Sequence, residues 1–129
     1  AGGIEPLPEE YQMVKRRYSG FFGTDLEILL KGLGVEHIYA VGLLTDVCVH
    51  YTCADAHQHD YHIHVVREAA GGSSLAAHEA ALAAIEYLQH GSVRKRCVND
   101  EEKNNCDGIC FDDGVKSVCW IGAILCCDG

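Results

Sequence analysis

A cysteine follows an apolar, strand-like stretch in TDVCVHYTCADA, residues 45–56. The residues around Cys48 favour a helix, so we place this cysteine in its first turn. The backbone N–H groups and the positive dipole end of that turn favour a thiolate over a thiol. The same N–H groups can hold the oxyanion that forms when a sulfur attacks an acyl carbon. Cys48 is therefore a candidate nucleophile, and a buried, inert cysteine is the alternative.

Two further residues bear on this assignment. Cys53 lies five residues after Cys48, away from the helix start, and we assign it to packing. Lys15 begins the stretch KRRYSGFFGTDLE, residues 15–27. An ammonium group there can supply positive charge beside a thiolate, although the residues alone favour a solvated lysine at a strand end.

Three strands alternate with helical patterns in the first 90 residues. Residues 11–14 predict a short strand, residues 37–44 a strand that is buried on both faces, and residues 61–66 a third strand. Strands separated by helices pair in parallel, and ligands bind at their carboxyl ends. The sequence therefore predicts an α/β fold with a three-layer, doubly wound, Rossmann-like parallel sheet.

Three helices connect or follow these strands. Their candidate N-terminal caps are Thr24, then Thr45 or Asp46, then Ser74. Gly34 is placed to end the first helix, the second runs to about residue 59, and the third is alanine-rich over residues 75–90. We expect the apolar side of the third helix to consist of Leu75, Leu82, Ile85 and Leu88.

Two segments together resemble the signature stretches of the isochorismatase-like cysteine hydrolases. They are KRRYSGFFGTDLE, residues 15–27, and GLLTDVCVHYTCADA, residues 42–56. YHIHVVREAAGGSS, which starts at residue 61, is similar to the segment that follows the second stretch in that family. The resemblance covers about residues 8–90 and implies an isochorismatase-like fold. It also implies a hydrolase of a small amide, ureido or related substrate, or of a vinyl ether.

The resemblance implies a role for each matching residue. Cys48 would be the nucleophile and Lys15 the second member of a catalytic triad. A cis peptide bond would join Leu43 to Leu44, and the backbone N–H groups of Leu44 and Cys48 would form the oxyanion hole. The thiolate would attack a carbonyl carbon, an acid would release the amine, and water would hydrolyse the thioester. No metal or other cofactor is expected in this part of the chain.

The third triad member in that family is an aspartate at the end of the first strand, in an apolar-D-x-Q segment. Three acidic residues precede Lys15 in a polar, proline-containing opening: Glu5, Glu9 and Glu10. We assign the role of the third triad member to none of them. We expect the aspartate to lie upstream of Ala1. On this view the chain is the carboxyl-terminal portion of its domain, truncated at the N-terminus.

Aromatic and histidine side chains raise weaker possibilities. The weak candidates for lining a substrate pocket, with core packing as the alternative, are Tyr18, Phe21 and Phe22. Four histidines could suggest a metal site: His57, His59, His62 and His64. They alternate along a strand or lie at a helix end, so they do not converge on one point, and we interpret them as solvated.

Six of the eight cysteines lie in the last part of the chain: Cys97, Cys106, Cys110, Cys119, Cys126 and Cys127. Their spacing, C-x8-C-x3-C-x8-C-x6-C-C, resembles a small knotted disulfide peptide, and RKR before the first of them resembles a processing site. Disulfide bonds, bound zinc and an unrelated or mis-joined extension all remain open. We therefore divide the chain into a partial hydrolase domain, residues 1–91, and an irregular cysteine-rich tail, residues 92–129.

The charge balance limits the partners. Nineteen acidic residues against ten basic ones give a net charge of -9, which disfavours nucleic acid and anionic membranes. The sequence shows no apolar run long enough to span a membrane and no secretory signal. We expect a cytoplasmic hydrolase of a small molecule that forms a homo-oligomer when full length. The alternative is a non-catalytic or secreted cysteine-rich binding protein with a disulfide-stapled tail.

Overall fold

The computed structural model describes residue 8, residues 10–94 and the backbone of residues 118–123. Helices and strands alternate along this part of the chain. They are α1 Leu26–Gly32, β1 His37–Leu43, a π-helical turn Thr45–Val49, α2 His50–Gln58, β2 His62–Gly71, α3 Leu75–Leu88, β3 Val93–Arg94 and β4 Val118–Ala123.

The four strands form one parallel sheet in the order β3-β2-β1-β4. Pairing is parallel because α2 returns the chain from the end of β1 to the start of β2, and α3 does the same between β2 and β3. The predicted α/β fold with a parallel sheet is confirmed.

A single apolar core joins the helices to one face of the sheet. Ile38 of β1 lies beside Ile63 of β2, and the next inward pair is Ala40 with Val65. Leu30 of α1 and buried residues of the other helices belong to the same cluster. Within the described ranges the helices thus cover one face, and the second helical layer of the predicted three-layer fold is not seen there.

The other face of the sheet carries stacked rings, and His64 corrects the expectation that the histidines are solvated. His64 is only 7% exposed, and its ring lies 4.4 Å from that of Tyr39. Arg94 Nε donates a hydrogen bond of 2.8 Å to His64 Nδ1. Burial, followed by the nearby charge of Arg94, lowers the pKa of His64 to about 4, so its ring is neutral at pH 7. Among the residues that the structure describes, no three His, Cys, Asp or Glu side chains are placed to hold a metal ion.

Three expectations about the elements are wrong. Residues 11–14 form no strand and pair with no strand of the described sheet. Their side chains are exposed, Val14 by 90%, so this segment does not contribute to the core. The sheet continues past Gly91, because β3 and β4 pair with it although the sequence there shows too short a pattern to predict them. Leu75 is 77% exposed at the first turn of α3, whereas Leu82 and Ile85 are buried as expected. The division of the chain at residue 91 stays a prediction.

Two helix ends are as predicted. The hydroxyl of Ser74 accepts a hydrogen bond of 3.1 Å from the backbone N–H of Ala77 at the start of α3. Gly34 has a φ of +67° just after α1, a conformation that glycine adopts without strain. At the start of α1 the residue in the N-cap position is Asp25 rather than Thr24, although the Thr24 hydroxyl still accepts a hydrogen bond from the N–H of Leu26.

The loop between β2 and α3 has room only for glycine at position 72. A Cβ atom there would lie 2.7 Å from the Cβ of His78 and 2.9 Å from its backbone N.

We expect Gly72→Ala to lower the free energy of unfolding by about 1–3 kcal/mol, because backbone atoms have to shift. Gly32→Ala is the matched control: nothing lies within 4 Å of the added carbon. Alanine in place of this helical glycine should raise stability by about 0.5–1 kcal/mol. Urea denaturation of both variants measures the two changes, and equal stabilities would contradict the packing.

Candidate active site

The carboxyl end of β1 is irregular just before the candidate nucleophile. The register with β2 shifts between Ala40 and Gly42, and Gly42 has a φ of +109°. The peptide bond between Leu43 and Leu44 is cis, at the position that the resemblance implies. The chain therefore leaves the sheet through a bulge at the edge where ligands bind in parallel α/β folds.

Cys48 lies in a π-helical turn rather than in the first turn of a regular α-helix. The carbonyl oxygen of Leu44 accepts hydrogen bonds of 3.1 Å from the backbone N–H groups of Val47 and Val49. The α-helix begins only at His50. Such π-helical turns are rare and frequently occur at functional sites.

The predicted capping roles of Thr45 and Asp46 are wrong. Leu44 occupies the cap position, and no side chain caps the turn. Thr45 is buried, and its Oγ1 shares a hydrogen bond of 2.7 Å with Nδ1 of His78 in α3. The Asp46 carboxylate accepts hydrogen bonds from the backbone and the hydroxyl of Ser73. Both residues belong to the turn, and their side chains connect it to the next loop and helix.

Lys15 and Cys48 are brought together from segments 33 residues apart. The Nζ of Lys15 lies 3.5 Å from the Sγ of Cys48, within hydrogen-bonding distance for sulfur, and also donates to the carbonyl oxygen of Arg17 at 3.1 Å. Reactive cysteines in proteins commonly lie beside a cationic side chain of this kind. The Cys48 side chain is buried, with 0% of its surface exposed.

The loop after Lys15 is fastened to the helix that follows Cys48. The backbone N–H of Gly20 donates a buried hydrogen bond of 3.0 Å to Oγ1 of Thr52, which lies one helical turn beyond Cys48. The ring of Tyr18 meets that of Tyr51 edge-on, with centroids 5.7 Å apart. These contacts fix the segment that carries Lys15 against the segment that carries the thiol.

Cys53 differs from Cys48 in its surroundings. It is 1% exposed within the apolar core, and burial raises the pKa of its thiol to about 12. A thiol with such a pKa stays protonated at neutral pH and is a poor nucleophile. This environment agrees with the assignment of Cys53 to packing.

The three aromatic candidates lie in different surroundings. Phe21 packs against the core and stacks on His59, with ring centroids 5.3 Å apart. Tyr18 and Phe22 are exposed, and Phe22 lines a surface depression together with Arg16 and Arg17. Core packing thus accounts for Phe21, and a role for any of the three in substrate binding stays a prediction.

Other predicted site residues are described only in part. Leu44 and Cys48 lie at and within the same π-helical turn, and the oxyanion role of their N–H groups stays a prediction. Cys119 lies on β4, where only the backbone is described. The other tail cysteines lie outside the described residues: Cys97, Cys106, Cys110, Cys126 and Cys127.

The described residues thus form a parallel α/β sheet with a cysteine and a lysine in contact at a strand's carboxyl end. The family described as the Isochorismatase domain matches residues 1–94. The chain belongs to this family.

Named relatives agree with this assignment. The chain is 37% identical over 78 residues to an isochorismatase family protein of Bacillus subtilis (strain 168). This match spans 60% of the chain and 43% of that protein. The chain is also 38% identical over 66 residues to the ureidoacrylate amidohydrolase RutB of Caulobacter segnis. This second match spans 51% of the chain and 28% of that enzyme. A crystal structure of a pyrazinamidase/nicotinamidase from Streptococcus mutans UA159 matches with a TM-score of 0.59 and 38% identity, covering 61% of the chain and 44% of that structure.

The chain spans less than half the length of these three relatives. It is therefore homologous to isochorismatase-family hydrolases over the part that it shares with them.

None of the helices in the described residues is both long enough and apolar enough to cross a bilayer.

The hydrogen bond between Gly20 and Thr52 gives a test of how the site is assembled. Thr52→Val keeps the side-chain shape but leaves the Gly20 N–H buried without its acceptor, at a cost of about 1–3 kcal/mol in unfolding free energy. Thr52→Ser keeps the hydroxyl and is the control. Denaturant unfolding of both variants measures the difference, and the prediction is wrong if valine is tolerated as well as serine.

Proposed function

We propose that the intact protein is a cysteine hydrolase that cleaves a C–N bond in a small amide or ureido substrate. The observation that carries this proposal is the 3.5 Å contact between Lys15 Nζ and Cys48 Sγ at the carboxyl end of β1. Cys48 and Cys53 are both buried in the apolar core, but Cys48 also lies against the ammonium group of Lys15, a contact that packing alone does not require. Membership of a family that contains amidohydrolases supports the same chemistry.

The reaction begins with the Cys48 thiolate. Its sulfur attacks the carbonyl carbon and forms a C–S bond, and the carbonyl oxygen becomes an oxyanion that the N–H groups of Leu44 and Cys48 stabilise. Collapse of this intermediate breaks the C–N bond, and the departing nitrogen takes a proton. Water then attacks the thioester, releasing a carboxylic or carbamic acid and restoring the thiol.

The lysine has an electrostatic role in this sequence. The Lys15 ammonium stays beside the sulfur and stabilises its negative charge before attack and again when the thioester is hydrolysed. The proton for the leaving nitrogen comes from a carboxylic acid, the third triad member that the family resemblance implies, and we assign it to no residue of this chain.

The substrate class follows from the relatives. Ureidoacrylate and nicotinamide, which the names of two relatives contain, are the first substrates to test. We also propose, from the family resemblance alone, that the intact protein is cytoplasmic and forms a homo-oligomer.

Replacement of the thiol tests the function directly. We expect Cys48→Ala to reduce ammonia release from ureidoacrylate or nicotinamide about a thousandfold or more, because the attacking atom is lost. Cys53→Ala is the matched control, since the second buried thiol takes no part and turnover should stay within about threefold of the wild type. Coupled ammonia assays on the intact protein measure both rates. Equal activity of Cys48→Ala and the wild type would refute the proposal.

A further inference from the structure

The turn that carries Cys48 is tied to the loop between β2 and α3 by one carboxylate. Asp46 lies two residues before Cys48, and both of its side-chain oxygens are engaged by Ser73. Oδ1 accepts from the Ser73 backbone N–H at 2.9 Å, and Oδ2 accepts from the Ser73 hydroxyl at 2.5 Å. Two bonds to one residue fix the direction of the carboxylate as well as its distance.

The loop that supplies Ser73 is itself held in one place. Gly71 pairs with Leu43 at the end of the sheet, and a Cβ atom on Gly71 would lie 2.8 Å from Cδ2 of Leu43. Gly72 packs directly against the backbone of His78, whose ring bonds to Thr45 in the turn. The loop is thus a fixed support, and Asp46 connects the turn to it.

The carboxylate is charged in this arrangement. The hydroxyl of Ser73, followed by its backbone N–H, lowers the pKa of Asp46 below its ordinary value of 3.8. At neutral pH both hydrogen bonds therefore go to an ionised acceptor, which makes them stronger than bonds between neutral groups. The π-helical turn has no side-chain cap of its own, so these bonds act together with the bond between Thr45 and His78 in restraining it.

From these contacts we infer that Asp46 is a positioning residue: by binding Ser73 it holds the π-helical turn where Cys48 meets Lys15. Asp46 acts through Cys48 and forms no bond with the reacting atoms. Without it, the turn would keep its apolar packing and the bond of Thr45 to His78 but would lose its link to the loop at Ser73. A shift of about 1 Å at a nucleophile costs a large part of the rate. The kinetic consequence rests on the proposed function, whereas the restraint on the turn does not.

Three variants separate hydrogen bonding from charge and from general damage. Asp46→Ala removes both acceptors. Asp46→Asn keeps both bonds, because its carbonyl oxygen accepts from the N–H of Ser73 and its amide donates to the hydroxyl, which can rotate. Asp55→Ala is the matched control, since the side chain of this aspartate on α2 accepts a hydrogen bond from Gln58, one turn away on the same helix, and no other within the described part of the chain.

The first measurement is the kinetics of ammonia release by the intact protein with ureidoacrylate and nicotinamide. We expect Asp46→Ala to lower kcat about tenfold or more with KM within about threefold, because the nucleophile is misplaced while the binding groups remain. Asp46→Asn should recover kcat to within about threefold of the wild type, and Asp55→Ala should match it. The inference is overturned if the asparagine variant loses as much kcat as the alanine variant, or if Asp55→Ala loses as much as Asp46→Ala.

The second measurement is hydrogen exchange by mass spectrometry, which needs no turnover. Asp46→Ala should speed amide exchange in residues 44–49 about tenfold, since the turn opens more readily, and leave residues 80–88 of α3 unchanged. Equal exchange in the variant and the wild type, or faster exchange across both segments, would overturn the inference. If the wild type released no ammonia while exchange rose only in residues 44–49, the proposed function would fail and the positioning role would stand.

Discussion

The contact between the ammonium group of Lys15 and the sulfur of Cys48 is the constraint on which the rest of the site depends. The two residues come from segments that share no helix or strand, so their 3.5 Å separation has to be maintained by the fold. A charge moved several ångströms away into water would stabilise a thiolate far less, because the interaction weakens with distance and with screening by solvent. The hydrogen bond from Gly20 to Thr52 fixes the lysine segment, and the end of β1 fixes the thiol segment.

The π-helical turn concentrates several requirements in five residues. It follows a bulged strand end, carries the sulfur, and uses Thr45 and Asp46 to reach α3 and the preceding loop. Gly72 lets that loop approach the backbone of His78 more closely than a residue with a Cβ atom could. Stability and catalytic geometry are therefore coupled here, since a change that loosens the loop also moves the nucleophile.

Hydrophobic periodicity predicted β1, β2, the three helices and the parallel sheet, because each of these elements is decided by local pattern and burial. Residues 11–14 were wrongly predicted as a strand, since a strand also needs a pairing partner that a short apolar run does not reveal. β3 was missed because it has only two residues, and β4 because its apolar residues were assigned to the irregular cysteine-rich tail. The pairing of Lys15 with Cys48 came from the family resemblance rather than from spacing.

Thr45 and Asp46 fit the local pattern of helix caps, and only the tertiary structure shows that they bind His78 and Ser73. Gly42 within a strand was the one sequence signal for the bulge.

The most direct test of the account is turnover by the intact protein after Lys15 is replaced by methionine, which keeps a flexible chain but removes the charge. Lys15→Met should lose about a hundredfold in kcat/KM with ureidoacrylate or nicotinamide, since the thiolate loses its stabilising partner. Lys31→Met on α1, where the ammonium lies over the ring of Tyr61, should retain the activity of the wild type. Wild-type turnover by Lys15→Met would contradict the account.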